Sequence, residues 1–269
     1  MLRRMLVGTT CLGLLGYLSL CGLMSFCQSS LVLFPTVGLA YSPKDLGLNF
    51  EEWRLPSGSG TVVAWKITPA GGARHWLLHC HGNGGNIAGR LGLARELSGR
   101  GLGVVLFDYR GFGASSGRIN NQSDLYQDGQ AVYDRLAQEK HPIWLYGESL
   151  GGGVASYLAE KNGCAGLVLQ STFTSFNQRA RESYPFMPVN WLSRFQMDTR
   201  ARLAGLKCPL LVIHGRRDEV IGFHHGQQLF AAAHQPKTWL ELDGGHNDLP
   251  EDVLAKAVAE WVDRQEGVE

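Results

Sequence analysis

Gly147-Glu148-Ser149-Leu150-Gly151 is the stretch on which the reading of this chain turns. It follows a short apolar run, residues 142–146, and precedes a helix-like stretch of small residues. A serine in this G-x-S-x-G context, between a strand and a helix, is held on a sharp turn that lifts its hydroxyl clear of the sheet. Only glycine fits beside such a turn, and the first N–H of the helix stays free to point at whatever the oxygen attacks. The pattern predicts a nucleophile at Ser149. A chain with 35 glycines meets such pentapeptides by chance, so the flanking sequence has to supply the partners.

Outward from Ser149, residues 61–67, 75–80, 103–109, 142–146, 165–170, 209–214 and 238–242 read as short apolar strands bounded by Gly, Pro or polar clusters. Helical-period segments lie between most of them, notably 87–98, 124–138, 151–160, 226–233 and 250–264. Strand alternating with helix implies right-handed crossovers and a mostly parallel central sheet with helices on both faces. The interval 171–206 breaks the rhythm. It has no strand signal but carries Phe173, Phe176, Tyr184, Phe186, Trp191 and Phe195, and an insertion of that length reads as a short cap or as a helix packed by its aromatics.

A serine hydroxyl needs a base, and the base needs an acid to hold its tautomer. On a parallel sheet both come from loops at strand C-termini, in the order serine, acid, histidine. Residues 209–214 run into Gly215-Arg216-Arg217-Asp218, and residues 238–242 into Asp243-Gly244-Gly245-His246. Asp218 is therefore the expected acid, ahead of Asp198 and Asp243, and His246 the expected base, ahead of His81 and His214.

The oxyanion of an acyl transfer needs backbone donors, each typically worth ~10²–10³ in rate. Leu150 N–H, just after the nucleophile, supplies one. The other falls to Asn83 N–H in the glycine-rich loop His81-Gly82-Asn83-Gly84-Gly85-Asn86. A phosphate loop is excluded, because neither GxGxxG nor the Walker spacing is present. Arg110 reads as a local ion pair and Glu148 as a structural neighbour of the elbow.

These segments, with Asp108-Tyr109-Arg110-Gly111-Phe112-Gly113 and Gly245-His246-Asn247, make the chain resemble the α/β-hydrolase superfamily over roughly residues 61–261. It is similar to the small-capped, N-terminally membrane-anchored branch that includes eukaryotic protein depalmitoylases. The resemblance implies an α/β-hydrolase fold with a short cap, catalytic Ser149, Asp218 and His246, and no metal or other cofactor. Substrate does not transfer with the fold.

The N-terminus is a different material. No charged side chain lies between Arg4 and Lys44, and residues 5–27 are long enough to cross a hydrocarbon core. A cleaved signal peptide lacks a clean small-residue site, and a lipoprotein signal is poorly served by Leu20 before Cys21 or Phe26 before Cys27. An uncleaved anchor needs no site. The expected organisation is an anchor or signal sequence at 1–28, a connector and first strand region at 29–60, and the hydrolase domain at 61–269 with its cap at 171–206. Arg3 and Arg4 before the span and no basic residue at 28–41 place the domain on the periplasmic or extracellular side, as an anchored or a secreted protein.

With 269 residues and a net charge of +1, the chain offers room for one large core and no nucleic-acid footprint. Its six cysteines show no CxxC or Cys/His ligand spacing and read as unpaired small hydrophobes. The expectation is a serine hydrolase that cleaves carboxylic esters or thioesters through an acyl-enzyme. Phe173, Phe186 and Trp191 are the expected wall of an apolar, lipid-like acyl site. A serine peptidase or amidase is the chemical alternative, and a non-catalytic membrane-tethered binding module the alternative of another class.

Overall fold

The computed structural model describes residues 2–267. Its strands are β1 (Phe34–Pro35), β2 (Phe50–Ser57), β3 (Gly60–Ile67), β4 (His75–Cys80), β5 (Gly84–Gly85), β6 (Leu102–Asp108), β7 (Ile143–Glu148), β8 (Gly166–Gln170), β9 (Leu210–Gly215) and β10 (Lys237–Leu242). The main sheet has eight strands in the order β10-β9-β8-β7-β4-β6-β3-β2. Only the β2–β3 and β3–β6 pairings are antiparallel. Strands β4, β6, β8 and β9 are buried at every position, which is why they read as unbroken apolar runs rather than alternating ones.

The helices are α1 (Leu2–Phe26), α2 (Gln28–Val32), α3 (Leu91–Gly99), α4 (Gln122–Ala137), α5 (Leu150–Asn162), α6 (Phe176–Ser183), α7 (Val189–Leu192), α8 (Thr199–Leu203), α9 (Phe223–Ala232) and α10 (Glu251–Glu266). One face of the sheet packs Val62, Leu78 and Phe107 against Leu125, Val154 and Leu158 of α4 and α5. The other packs Trp65, Leu77 and Leu106 against Leu91 of α3 and Val258 and Trp261 of α10. The period-2 alternation of side chains along β3, β4 and β6 sends neighbours to opposite cores.

Two features sharpen the sequence reading of residues 29–60. The first strand of the sheet, β2, lies within that region, before the apolar runs that start near Thr61; it is the edge, with Glu51, Glu52 and Arg54 exposed and Pro56 in the strand. Charge and proline are what an unpaired edge tolerates, and they mask the strand in the sequence. The segment before it is also no free connector. β1 pairs in parallel with β5, in the glycine-rich loop.

α1 is long and apolar enough to cross a membrane. Its C-terminal half packs on the cap, where Cys21, Met187 and Val189 are buried together with Met24, Ala180 and Leu192 against them. The Arg194 guanidinium donates to the carbonyls of Ser25 at 2.9 Å and Phe26 at 3.3 Å. A cation at orphaned helix-terminal carbonyls is a favourable cap.

Candidate active site

β7 ends and α5 begins at Ser149, which has φ 51° and ψ −117°. That left-handed conformation costs a non-glycine residue of order 1–3 kcal/mol. It is held from both sides: Ser149 N–H donates to Gln170 O at 2.9 Å, and Thr172 Oγ1 donates to Ser149 O at 2.6 Å. The flanking glycines are a steric necessity. A Cβ at Gly147 would meet Gly152 Cα at 2.5 Å, and one at Gly151 would meet the Cys80 carbonyl oxygen at 2.0 Å.

The turn aims Ser149 Oγ at His246, whose Nε2 is 3.1 Å away. His246 Nδ1 lies 2.8 Å from Asp218 Oδ2 and 3.0 Å from Oδ1. Asp218 follows β9 and its Oδ1 also accepts the N–H groups of Ile221 at 2.7 Å and Val220 at 3.0 Å. Burial opposes ionisation of this carboxyl, but hydrogen bonds from His214, His246 and the Ile221 N–H outweigh it and hold Asp218 well below the usual carboxylate range. With Asp218 ionised, His246 keeps its proton on Nδ1 and presents the Nε2 lone pair to the serine. The rival acids have other work. Asp198 caps α8 through Ala201 N–H, and Asp243 pairs at the surface with Arg217.

His214, set aside as a base, is fully buried beside the acid. Its Nε2 donates to Ile221 O at 2.8 Å and lies 3.3 Å from Asp218 Oδ2. The sequence weighed His214 only as a rival base and did not single out Thr172, because nothing in their spacing marks a neighbour across adjacent strands.

Leu150, as the first residue of α5, has a backbone N–H with no intrahelical acceptor. Among the described residues the Asn83 N–H likewise has no protein acceptor. Asn83 is fixed by the N-terminal segment: its Nδ2 donates to Val32 O at 2.7 Å, and its carbonyl accepts Phe34 N–H at 2.8 Å. Glu148 points away from the serine into a bidentate pair with Arg90, at 2.8 and 3.1 Å. Burial opposes the charge on Glu148, but Arg90 outweighs it and keeps the carboxyl below its ordinary range. Arg110 is buried and engages Asp128 at 2.7 Å, so it holds the loop after β6.

Ser149, Leu150 and Asn83 sit at one end of a cavity of about 260 Å³. The cap contributes Phe173, Phe176, Tyr184, Met187, Val189 and Leu192, and the N-terminal segment contributes Met24, Ser25, Gln28, Leu31 and Val32. Of the three aromatics read as an acyl-site wall, Phe173 lines this cavity. Phe186 and Trp191 do not: they lie outside it, 59% and 91% exposed. In the cap Met187, which precedes α7, and Val189 and Leu192 of α7 take the inward positions, and those two aromatics face outward. The contribution of residues 24–32 was hidden because the first of them had an explanation in a membrane span and the rest read as a connector.

Among the described residues, one cluster carries metal-type ligands. Glu182 of α6 meets His224 Nε2 at 3.2 Å and His225 Nε2 at 3.0 Å. His225 Nδ1 accepts the Thr174 N–H at 3.2 Å, which leaves the proton on Nε2 and makes the contact to Glu182 a hydrogen bond. The cluster ties the cap to α9, next to the loop of Asp218.

Residues 71–195 match the protein family described as serine aminopeptidase, S33. Rv2307c, an uncharacterised protein of Mycobacterium tuberculosis, is 35% identical over 236 residues, which cover 82% of this chain and 81% of that protein. With the sheet and the elbow described above, the chain belongs to the α/β-hydrolase superfamily of serine hydrolases. The lysophosphatidylserine lipase ABHD12 of Mus musculus is 28% identical, over 81% of this chain and 67% of that one. Among solved structures, an esterase from Pyrococcus furiosus aligns with a TM-score of 0.72 at 19% identity, covering 87% of this chain and 98% of that one.

Proposed function

We propose that this serine hydrolase cleaves carboxylic esters of a single lipid-like acyl chain, with thioesters open to the same acyl-enzyme route. His246 Nε2 takes the Ser149 proton as Oγ attacks the carbonyl. The oxyanion is held by the Asn83 and Leu150 N–H groups. The protonated His246 then gives its proton to the leaving oxygen, and water attacks the acyl-serine by the reverse sequence. The observation that carries the reading is the 3.1 Å contact from His246 Nε2 to Ser149 Oγ, backed by the 2.8 Å contact to Asp218.

The substrate class follows from the wall of the cavity. It is mostly aliphatic and aromatic, and about 260 Å³ is at the small end for ligand sites, room for one chain rather than a diacyl lipid or a folded peptide. The one charged lining residue is a cation, Arg179. An aminopeptidase would need an anion there for the substrate ammonium, so the ester reading is preferred over the activity in the family description. Names of the relatives agree: one is a lysophospholipid lipase and another an esterase. α1 is read as an uncleaved anchor, with Arg3 and Arg4 on the cytoplasmic side and the hydrolase domain exported.

The test is a panel of p-nitrophenyl esters, acyl-thioesters and aminoacyl amides on full-length protein, with fluorophosphonate labelling in parallel. Ser149→Ala should abolish both labelling and ester turnover. Turnover of amides alone would replace the reading with a peptidase, and absent labelling of folded protein would leave a binding module.

A further inference from the structure

We infer that the outer aromatic face of the cap is a membrane-docking surface, with Phe186 and Trp191 seated among lipid acyl chains beside α1. The inference rests on the reading of α1 as a membrane span. Depth is set by one hydrogen bond. The Tyr17 hydroxyl donates to the Phe186 carbonyl at 2.9 Å, so the cap backbone at Phe186 stands level with Tyr17, well inside the C-terminal end of α1 at Phe26. At 1.5 Å per residue the separation along the helix is about 13 Å.

A hydrocarbon core takes about 20 helical residues. The apolar stretch Arg3–Phe26 has 24, which leaves only about 6 Å of helix to emerge. Even with all of that on the side of the catalytic domain, Phe186 lies about 7 Å below the hydrocarbon boundary. The cap is fastened there by the buried Cys21, Met187 and Val189 cluster.

The composition of the face agrees. Trp191 is the most exposed large hydrophobic side chain described, and Tyr184 and Phe186 of the same cap are exposed and meet edge to face. Tyr and Trp are the side chains enriched at membrane interfaces. Glu182, the acid of α6, is turned to His224 and His225 and away from this face. Phe26, Leu31 and Phe34 continue the exposed apolar surface beyond the end of α1. Because the patch is continuous with a helix whose own side chains are nearly all exposed, the occupant is the bilayer. Met24, Ser25 and Leu31 line the cavity that holds Ser149, so an acyl chain reaches the serine from the lipid without crossing water.

The experiment places full-length protein in phosphatidylcholine vesicles, with and without lipids brominated on their acyl chains, and reads tryptophan emission. The remaining tryptophans, at 53, 65, 76, 144, 239 and 261, lie in the sheet and α10. The expected result is that Trp191→Phe loses most of the bromine-quenched intensity of the wild type. A variant that keeps most of it overturns the inference. Quenching is independent of turnover, so a protein inactive on esters but quenched through Trp191 refutes the ester proposal alone. Extraction of the full chain by carbonate, with no quenching in either form, removes the span and this inference together.

Discussion

Asp218→Asn isolates what the acid does. The amide has one acceptor oxygen and one donor NH₂, and the loop decides which goes where. Oδ1 accepts backbone N–H groups from Ile221 at 2.7 Å and Val220 at 3.0 Å, so the amide oxygen must take that place. The NH₂ then replaces Oδ2, which faces His246 Nδ1 at 2.8 Å. A donor there forces His246 into the tautomer protonated on Nε2, and the N–H now points at Ser149 Oγ and cannot accept its proton. The oxyanion donors and the cavity are untouched, so the loss should be confined to kcat and reach ~10⁴, about 5.4 kcal/mol of barrier. The assay is kcat and KM on a soluble p-nitrophenyl ester, normalised to folded protein by circular dichroism, together with the rate of fluorophosphonate labelling. A loss below about tenfold, with the fold intact, would show that Asp218 does not set the tautomer and would return Asp198 to consideration.

Cavity filling at the N-terminal wall should change specificity: Leu31→Trp should shift preference toward shorter acyl chains by ~1–3 kcal/mol in kcat/KM, whereas Phe186→Ala should leave the preference on soluble esters unchanged. Uniform loss at all chain lengths for Leu31→Trp would put that residue outside the acyl path. Burial, helped by the nearby Arg90 and His81 and opposed by Glu148, lowers His79 to about 3, against about 6.5 in the unfolded chain. Between those values the unfolded state binds the extra proton, so this contribution is fully present above about pH 6.5 and is lost at about 1.4 kcal/mol per pH unit on acidification. Urea midpoints of His79→Leu should accordingly fall less steeply than those of the wild type between about pH 6 and 4, and parallel slopes would contradict the assignment. Cys164 Sγ lies 3.0 Å from Cys208 Sγ; if the domain is exported, non-reducing peptide mapping should find the two joined, and free thiols on protein from an oxidising compartment would count against export.

Much of the architecture could be read from the chain because its parallel strands are buried on both faces and so appear as continuous apolar runs, as in β4 and β9. β2 was placed only as a first strand region within 29–60, without bounds, because an edge strand is written in charge and proline. The geometry around Ser149 was legible because chain order and strand-end position are constraints that survive without coordinates, which is why Asp218 and His246 could be named ahead of nearer or equally placed rivals. Side-chain direction is not such a constraint. Trp191 and Met187 are both apolar residues of one insertion, yet only Met187 lines the cavity. Thiol proximity was equally invisible, since Cys164 and Cys208 precede β8 and β9, and their distance follows from strand pairing rather than from spacing.

The pairing of β1 with β5 makes the segment before β2 a splint for the glycine-rich loop. Asn83 is gripped through Val32 and Phe34, Gly85 O by Thr36 N–H, and Asn86 through the carbonyls of Thr36 and Gly38. A chain trimmed to the start of β2 would retain the whole sheet and all three residues of the Ser149 relay, and by every spectroscopic measure of folding it would look intact. It would nonetheless have lost the splint on the loop of Asn83 and one wall of its cavity. A form shortened to the start of β2 is therefore the wrong yardstick for this enzyme: residues 24–38 supply part of the cavity wall and hold the loop of Asn83.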